Sequence, residues 1–317
     1  MKSAVIFINM GGPENLSEVR GFIRNLFRDP HIIKLPAPLR YLLAGIISTS
    51  RAPKVRQHYE LIGGGSPLRK WTKLQAQKTS EKLSAKFPDT TFFTAYSYSK
   101  PKIAEIFEII SKADFERIIA VPLYPQYSDA TLGSIYDDLA RANRKYELGR
   151  KLITLPPFYE EAGYINASVE SLTRAVTGIN RNKNWQVVFT AHALPQSLVD
   201  NGDPYGIQID RTVYHILQKY PLENYTISFQ SKIGPVKWMQ PSTIETITGL
   251  GREGVEQVVV VPIGFVCDHI ETLYELDIEL AEIAQNAGIQ KFVRADVFNA
   301  EDSFISFLAR YIEKALQ

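Results

Sequence analysis

Apolar residues along this chain fall into two alternating patterns. Short runs rich in β-branched side chains occupy residues 5–8, 91–94, 118–121, 152–154, 186–189, 226–229, 258–261 and 292–293. Between them lie helix-length stretches in which apolar positions recur every three or four residues. That alternation predicts βα units and parallel sheets, an α/β fold. Several runs, such as Val258-Val259-Val260-Val261, carry no polar interruption, as strands covered on both faces require. In open α/β sheets ligands sit beyond the carboxyl ends of strands. The segments that matter are then Asn9-Met10-Gly11, Tyr124-Pro125-Gln126-Tyr127, Thr190-Ala191-His192 and Phe265-Val266-Cys267.

The pattern also repeats at long range. Residues 101–122 and 241–262 have equal length and an offset of 140, and each runs from a proline through a helical stretch to a strand ending in Val-Pro. Glu105 matches Glu245 and Glu116 matches Glu256. We read two similar doubly wound halves meeting near Pro156-Pro157, an N-terminal domain over 1–157 and a C-terminal domain over 158–317. The length of 317 residues agrees, at about 150 residues per domain.

Composition adds exclusions. A formal net charge of +2 is too small an excess for a protein that grips nucleic acid. The single cysteine, Cys267, excludes an intrachain disulfide and any multi-cysteine metal site within the chain. No stretch reaches the roughly 18 apolar residues a membrane span needs, and the N-terminus lacks a signal-peptide pattern, so a cytoplasmic protein is expected. Read by position, the charge is far from even. Residues 1–86 carry 15 basic and five acidic side chains, whereas residues 254–290 carry seven acids and no Lys or Arg.

Most of those acids lie in the segment from Asp268 to Glu282, which contains no proline or glycine and reads as an α-helix. At 100° per residue Asp268, Glu271, Glu275, Glu279 and Glu282 fall within about 80° of one another, with Asp277 opposite. Like charges at this spacing cost helix stability. The stripe begins just beyond a strand end, which favours cation binding or conduction over a solvated acidic face. His269 and His192 are available to add nitrogen ligands for a metal such as Fe²⁺. His192, directly after a strand, is placed to act as a base near neutral pH. His31 and His58 sit among basic residues, and His215 lies on a helical stretch.

Other motifs carry less. Gly249-Leu250-Gly251-Arg252-Glu253-Gly254 matches G-x-G-x-x-G, but a helix precedes it and a strand follows, the reverse of a dinucleotide site. In Gly63-Gly64-Gly65-Ser66-Pro67, Ser66 reads as a helix N-cap with Pro67 in the first turn. Neither H-E-x-x-H nor G-x-S-x-G occurs. Between Arg28 and Arg56, Lys34, Arg40, Arg51 and Lys54 interleave with Ile32, Leu35, Tyr41, Leu42 and Ile46, and Pro36 and Pro38 are expected to break any long helix there. This segment suits either an anionic lipid surface or the rim of a pocket for an apolar ligand with carboxylate tails, for which Arg51 offers a bidentate fork. Packing between two short helices is the third reading.

In order along the whole chain, these segments resemble the ferrochelatase family, whose members insert Fe²⁺ into a porphyrin in haem synthesis. The resemblance rests on Asn9-Met10-Gly11-Gly12-Pro13, Arg51-Ala52-Pro53-Lys54, Gly63-Gly64-Gly65-Ser66-Pro67, Tyr124-Pro125-Gln126-Tyr127-Ser128, Ala191-His192-Ala193-Leu194-Pro195, Gly202-Asp203-Pro204-Tyr205, Gln230-Ser231-Lys232-Ile233-Gly234-Pro235, Trp238 and Asp268-His269-Ile270-Glu271-Thr272-Leu273-Tyr274-Glu275. It implies two Rossmann-like domains with a porphyrin cleft between them and a rim segment over 28–66. It implies that His192 accepts pyrrole protons with Glu271 as its acidic partner, both also touching the metal. Asp268, His269, Glu275 and Glu279 match a metal or proton path, and Met10, Arg51, Tyr59, Ser66, Tyr127, Trp238 and Phe265 match porphyrin contacts. The substrates are then protoporphyrin IX and Fe²⁺, with no permanently bound cofactor, no nucleic acid partner, and peripheral contact with anionic membrane on the cytoplasmic face.

Two departures stand out. Ser97-Tyr98 occupies a place where the family often has Arg-Tyr. The cysteines that hold a [2Fe–2S] cluster in some members have no counterpart, so no cluster is expected. A chelatase for cobalt or another tetrapyrrole is the nearest alternative. A non-catalytic porphyrin carrier is a more distant one, because it would need neither His192 nor the acidic stripe.

Overall fold

The structure is a computed structural model that describes residues 2–317 except Ile233 and Pro235, two positions of the 230–235 motif; the side chain of Arg150 is likewise outside the described set. The chain forms two compact units, one comprising Met1–Tyr124, Ser128–Pro157 and Asn299–Gln317, the other Pro125–Tyr127 and Phe158–Phe298.

The first unit is built on a four-stranded parallel sheet of β1 (Ser3–Asn9), β2 (Thr90–Tyr96), β3 (Arg117–Pro122) and β4 (Leu152–Thr154), in the order β2-β1-β3-β4. All seven residues of β1 are buried, which explains its unbroken apolar run. The second unit repeats the order as β6-β5-β7-β8, with β5 (Trp185–His192), β6 (Tyr225–Gln230), β7 (Gln257–Pro262) and β8 (Lys291–Arg294), again all parallel. The 140-residue repeat is exact at the level of elements: β3 and β7 begin and end at that offset. Pro101 and Pro241 both follow a cis peptide bond, and their carbonyls accept from Tyr96 N and Phe229 N at 2.9 Å. In each sheet the order of winding reverses beside the central strand, so β1/β3 and β5/β7 are the switch points where doubly wound folds bind ligands. Met10 follows β1, Tyr124 to Tyr127 follow β3, His192 closes β5, and Gly264-Phe265 follow β7.

Three expectations need correction. Residues 299–317 do not belong with the second half. The helix Asp302–Leu316 buries Phe304, Ile305, Leu308 and Ile312 in the first unit. Ala315 O accepts from Arg117 Nη1 at 2.7 Å, Asn299 O from Gln75 Nε2 at 2.6 Å, and Tyr311 Oη donates to Pro156 O at 2.7 Å. An amphipathic pattern shows which helix face is buried, and not which sheet covers it.

Second, Pro36 and Pro38 do not divide the rim segment. A single helix runs over Ala37–Leu61, because Pro38 lies in its first turn, where no backbone donor is needed. Pro53 is accommodated inside it. Third, the acidic segment is not a plain α-helix: Glu271–Leu280 is wound as a π-helix, and α-helical winding resumes over Ala281–Asn286. The glycine pattern at 249–254 falls, as expected, on the end of the helix Thr243–Arg252 and the loop before β7.

Candidate active site

The chemistry of the second unit gathers at the carboxyl end of β5. His192 is the last residue of that strand, in register with Gln230 of β6. Its Nδ1 lies 2.9 Å from Glu271 Oε2. A carboxylate only accepts, so Nδ1 carries the proton, and Nε2 of the neutral ring is left as a free lone pair. Burial pulls the imidazole pKa down, but the charge of Glu271, their hydrogen bond and the charge of Glu275 outweigh it, and the net shift is upward. Burial acts on Glu271 in the opposite sense, and the facing imidazoles of His192 and His269 hold its carboxyl well below the usual range.

The π-winding places the carboxylates. An i→i+5 ladder widens the turn, so residues four apart lie more nearly above one another than in an α-helix. Glu271, Glu275 and Glu279 therefore form a row, while Thr272, Leu276 and Leu280, one position on, are buried. Leu276 and Leu280 pack with Val188, Val258 and Val260. Burial of such a side chain contributes about 1.5–3 kcal/mol, against about 0.2–0.5 kcal/mol for each like-charged pair on a helix surface. The leucines hold the acidic row in place. Along the row Glu271 and Glu275 are partly buried and Glu279 is exposed, so the carboxylates lead from His192 to solvent.

Glu275 responds to this setting. Burial and the charge of Glu271 push its pKa up to about 7, although Ser231 Oγ donates to Oε2. Ser231 sits at φ +68, a left-handed conformation uncommon outside glycine. Gln230 Nε2 donates to the carbonyl of Glu271 at 3.2 Å and ties the first π-turn to the end of β6. His269 is buried, and its Nδ1 faces Cys267 O at 3.1 Å, so Nδ1 donates. Its Nε2 points towards Glu271 Oε2 at 3.9 Å, and burial lowers its pKa. Phe265 packs edge-on against this ring at 4.6 Å.

Asp268 has different company. It accepts from Thr272 Oγ1 at 2.8 Å and lies 3.4 Å from Arg294 Nη2, which also pairs with Asp277 at 2.9 Å. Arg294 comes from the end of β8, so charge that looks unbalanced in sequence is answered from another strand. Trp238 is anchored beside the segment after His192: Met239 N donates to Leu194 O at 3.0 Å and Gln196 N to Lys237 O at 2.8 Å. Tyr127 N donates to Gln208 Oε1 at 2.7 Å. Sequence reasoning assigned no role to Gln230, Ser231 or Arg294. The first two lie inside a recognised motif, and nothing local to Arg294 marks it.

The first unit brings Met10 and Ser66 into one region. Met10 N donates to Asn9 Oδ1 at 2.8 Å, and Ser66 N to Pro13 O at 2.7 Å, so the loops after β1 and before the helix Leu68–Leu83 cross. A Cβ on Gly65 would stand 2.3 Å from Glu14 O, which is why glycine occupies the crossing. Tyr59 is buried and Arg51 half-buried on the helix Ala37–Leu61. Among the described residues, no set of three or more His, Cys, Asp and Glu side chains is arranged to hold a metal ion.

His192 and Glu271 thus pair at a switch point of a repeated doubly wound sheet. Solved structures share this fold. SirB from Bacillus subtilis with Fe³⁺ matches with a TM-score of 0.59 and 13% identity, covering 99% of this chain and 95% of that one. The sirohydrochlorin chelatase SirB from Bacillus subtilis subspecies spizizenii in complex with cobalt matches at 0.53 and 14%, covering 99% and 97%. At sequence level the Ferrochelatase family profile matches residues 2–316. The ferrochelatase of Geotalea uraniireducens is 40% identical over 316 residues, covering 99% of this chain and 98% of the relative. That of Aquifex aeolicus is 39% identical over 309 residues, covering 97% of each. The chain belongs to the ferrochelatase family, and is a lyase of haem biosynthesis.

Proposed function

We propose that this chain inserts Fe²⁺ into protoporphyrin IX and releases two protons, with His192 as the base. The observation that carries the reading is the contact of His192 Nδ1 with Glu271 Oε2 at 2.9 Å, which leaves Nε2 free to accept. A porphyrin binds a metal only after two pyrrole N–H protons leave and four lone pairs face the ion. Nε2 takes a proton, and the Glu271 carboxylate stabilises the imidazolium that forms. Glu275, with a pKa near 7, passes protons or the cation along the row towards Glu279 and solvent. His192 and Glu271 serve as transient ligands, and His269 supports Glu271 from the side. Asp268, bonded to Thr272 and near Arg294, acts as a cap for the acidic segment more than as a carrier.

The porphyrin contacts carried over from the family are Met10, Arg51, Tyr59, Ser66, Tyr127, Trp238 and Phe265, with Arg51 pairing a propionate. Purified protein under anaerobic conditions is expected to convert Fe²⁺ and protoporphyrin to haem faster than it converts coproporphyrin, read from the haem absorption bands. Absence of turnover with both porphyrins would overturn the reading. Co²⁺ taken up in place of Fe²⁺ would favour the cobalt alternative. No resident cofactor or cluster is part of the proposal.

The protein is proposed to act in the cytoplasm, against the anionic face of a membrane. No described helix is long and apolar enough to cross one. On the helix Ala37–Leu61, Leu39, Leu42 and Ile46 share one face and are 56%, 63% and 58% exposed, with Lys34 and Arg40 nearby in sequence. Apolar insertion flanked by cations is the arrangement anionic lipid favours. Co-sedimentation with phosphatidylglycerol vesicles is expected, and a Leu42→Glu/Ile46→Glu variant is expected to lose it. Equal binding of the variant would contradict the assignment.

A further inference from the structure

His31, read from the sequence as one of several residues in a basic stretch, stands between two carboxylates. Its Nδ1 lies 3.0 Å from Asp129 Oδ1 and its Nε2 3.1 Å from Asp137 Oδ2. Carboxylate oxygens only accept hydrogen bonds, so both contacts are satisfied only when both ring nitrogens donate, that is, when the ring is an imidazolium. A neutral ring sets one lone pair against a carboxylate. The ring is mostly covered, with 17% of its side chain exposed.

Other charged groups stand close to the ring or to its two carboxylates. Asp29 lies two residues before it and accepts from His31 N at 2.8 Å. Lys34 pairs with Asp129 at 3.1 Å, and Arg141 stands 3.9 Å from Asp137. Two carboxylates against the ring and a third close by outweigh Lys34. Burial acts to lower the His31 pKa, but the bonds to Asp137 and Asp129 and the charges of Asp129 and Asp29 raise it overall. The nest is sterically specific. Gly133 ends the turn Asp129–Gly133, and a Cβ there would stand 2.8 Å from Asp129 Oδ1 and 3.3 Å from His31 Nδ1.

The ring lies on the stretch that leads from the helix Val19–Phe27 into the helix Ala37–Leu61, and both carboxylates belong to the turn and the helix that follow β3. This stretch is held at two points of different character. At the first, the buried Asp29 accepts from Tyr98 Oη at 2.7 Å and from Ser134 Oγ. The second is His31.

We propose that His31 is a protonation-dependent clasp, which fastens residues 28–36 to the 129–137 segment while charged and releases them when it loses its proton. The proposal uses only contacts inside the first unit and is independent of where a porphyrin binds. A histidine whose folded-state pKa lies above its unfolded value contributes fully below the unfolded value, and the contribution disappears as pH rises through the folded one. The clasp is closed below the ordinary histidine value and opens as pH rises through the raised one.

Hydrogen–deuterium exchange of peptides covering 28–36 tests this, with wild type compared with His31→Gln at each pH so that intrinsic exchange cancels. At about pH 6, the variant is expected to exchange about threefold faster than wild type, the scale of a partly exposed ion pair. At about pH 9, the ratio is expected to fall towards one. A ratio near one at the acid end, or an excess that persists undiminished at the alkaline end, would overturn the clasp. If His31→Gln does not fold, Asp137→Asn is read in the same way, with the same two outcomes decisive.

Discussion

Replacing His192 by alanine is expected to slow metal insertion by about 10²–10⁴-fold, the range removed when a positioned proton acceptor is lost. The substitution takes away Nε2, the free lone pair at the carboxyl end of β5, and leaves Glu271 without its partner. The fold should survive, because one third of the His192 side chain is exposed and the strand is held by ladders to β6 and β7 on either side. A turnover assay under anaerobic conditions, run beside a denaturant titration, separates the two effects. A His192→Ala protein that is folded and inserts iron at a near-normal rate would remove His192 from the chemistry.

Glu271→Gln is the second large effect. An amide oxygen can still accept from Nδ1, so the orientation of the ring is retained while the charge is lost. The imidazolium formed on proton transfer then has no counter-ion at hydrogen-bond distance, and a loss of about 10²-fold or more in rate at neutral pH is expected. The pH profile should move as well. His192 works as a base only when neutral, and Glu271 raises its pKa, so in the wild type the rate climbs as pH rises through that raised value. Without the charge, only Glu275 still opposes the effect of burial, and the climb shifts to lower pH.

Stability carries the same signature. The pair contributes while Glu271 is ionised and His192 is protonated. It fades as pH falls through the depressed carboxyl value, and again as pH rises through the raised imidazole value. An unshifted acid limb in Glu271→Gln would show that the two groups are not coupled in function.

What could be read in the sequence, and what could not, divides along physical lines. Strands were legible because burial on both faces leaves unbroken apolar runs, and the repeat because Pro101 and Pro241 stand at the same place in both units. His192 was legible as a residue placed directly after a strand, and Glu271 as one acid of the stripe that begins at Asp268. Their 2.9 Å contact was not, since it depends on the twist and register of β5 against the segment after β7.

Helical spacing assumes a constant turn, so the π-winding of Glu271–Leu280 stayed hidden, although five like charges in one stripe signalled an unusual local cost. Arg294 answers Asp268 and Asp277 from a strand many residues away, and the last helix joins the first sheet through contacts with Arg117, Gln75 and Pro156. Such partners are tertiary, and no local pattern carries them. His31 makes the same point in reverse: Arg28 and Lys34 flank it in sequence, and its ring faces Asp129 and Asp137 in space.

The most direct test of the His192–Glu271 account is an NMR titration of the His192 imidazole, with ¹³C-labelled histidine, in the wild type and in Glu271→Gln. The account predicts a wild-type pKa above the ordinary histidine value of about 6.5, and a lower value in the variant, where only the charge of Glu275 still opposes burial. The same pKa in both proteins would contradict it, because Glu271 would then not be setting the proton affinity of the base.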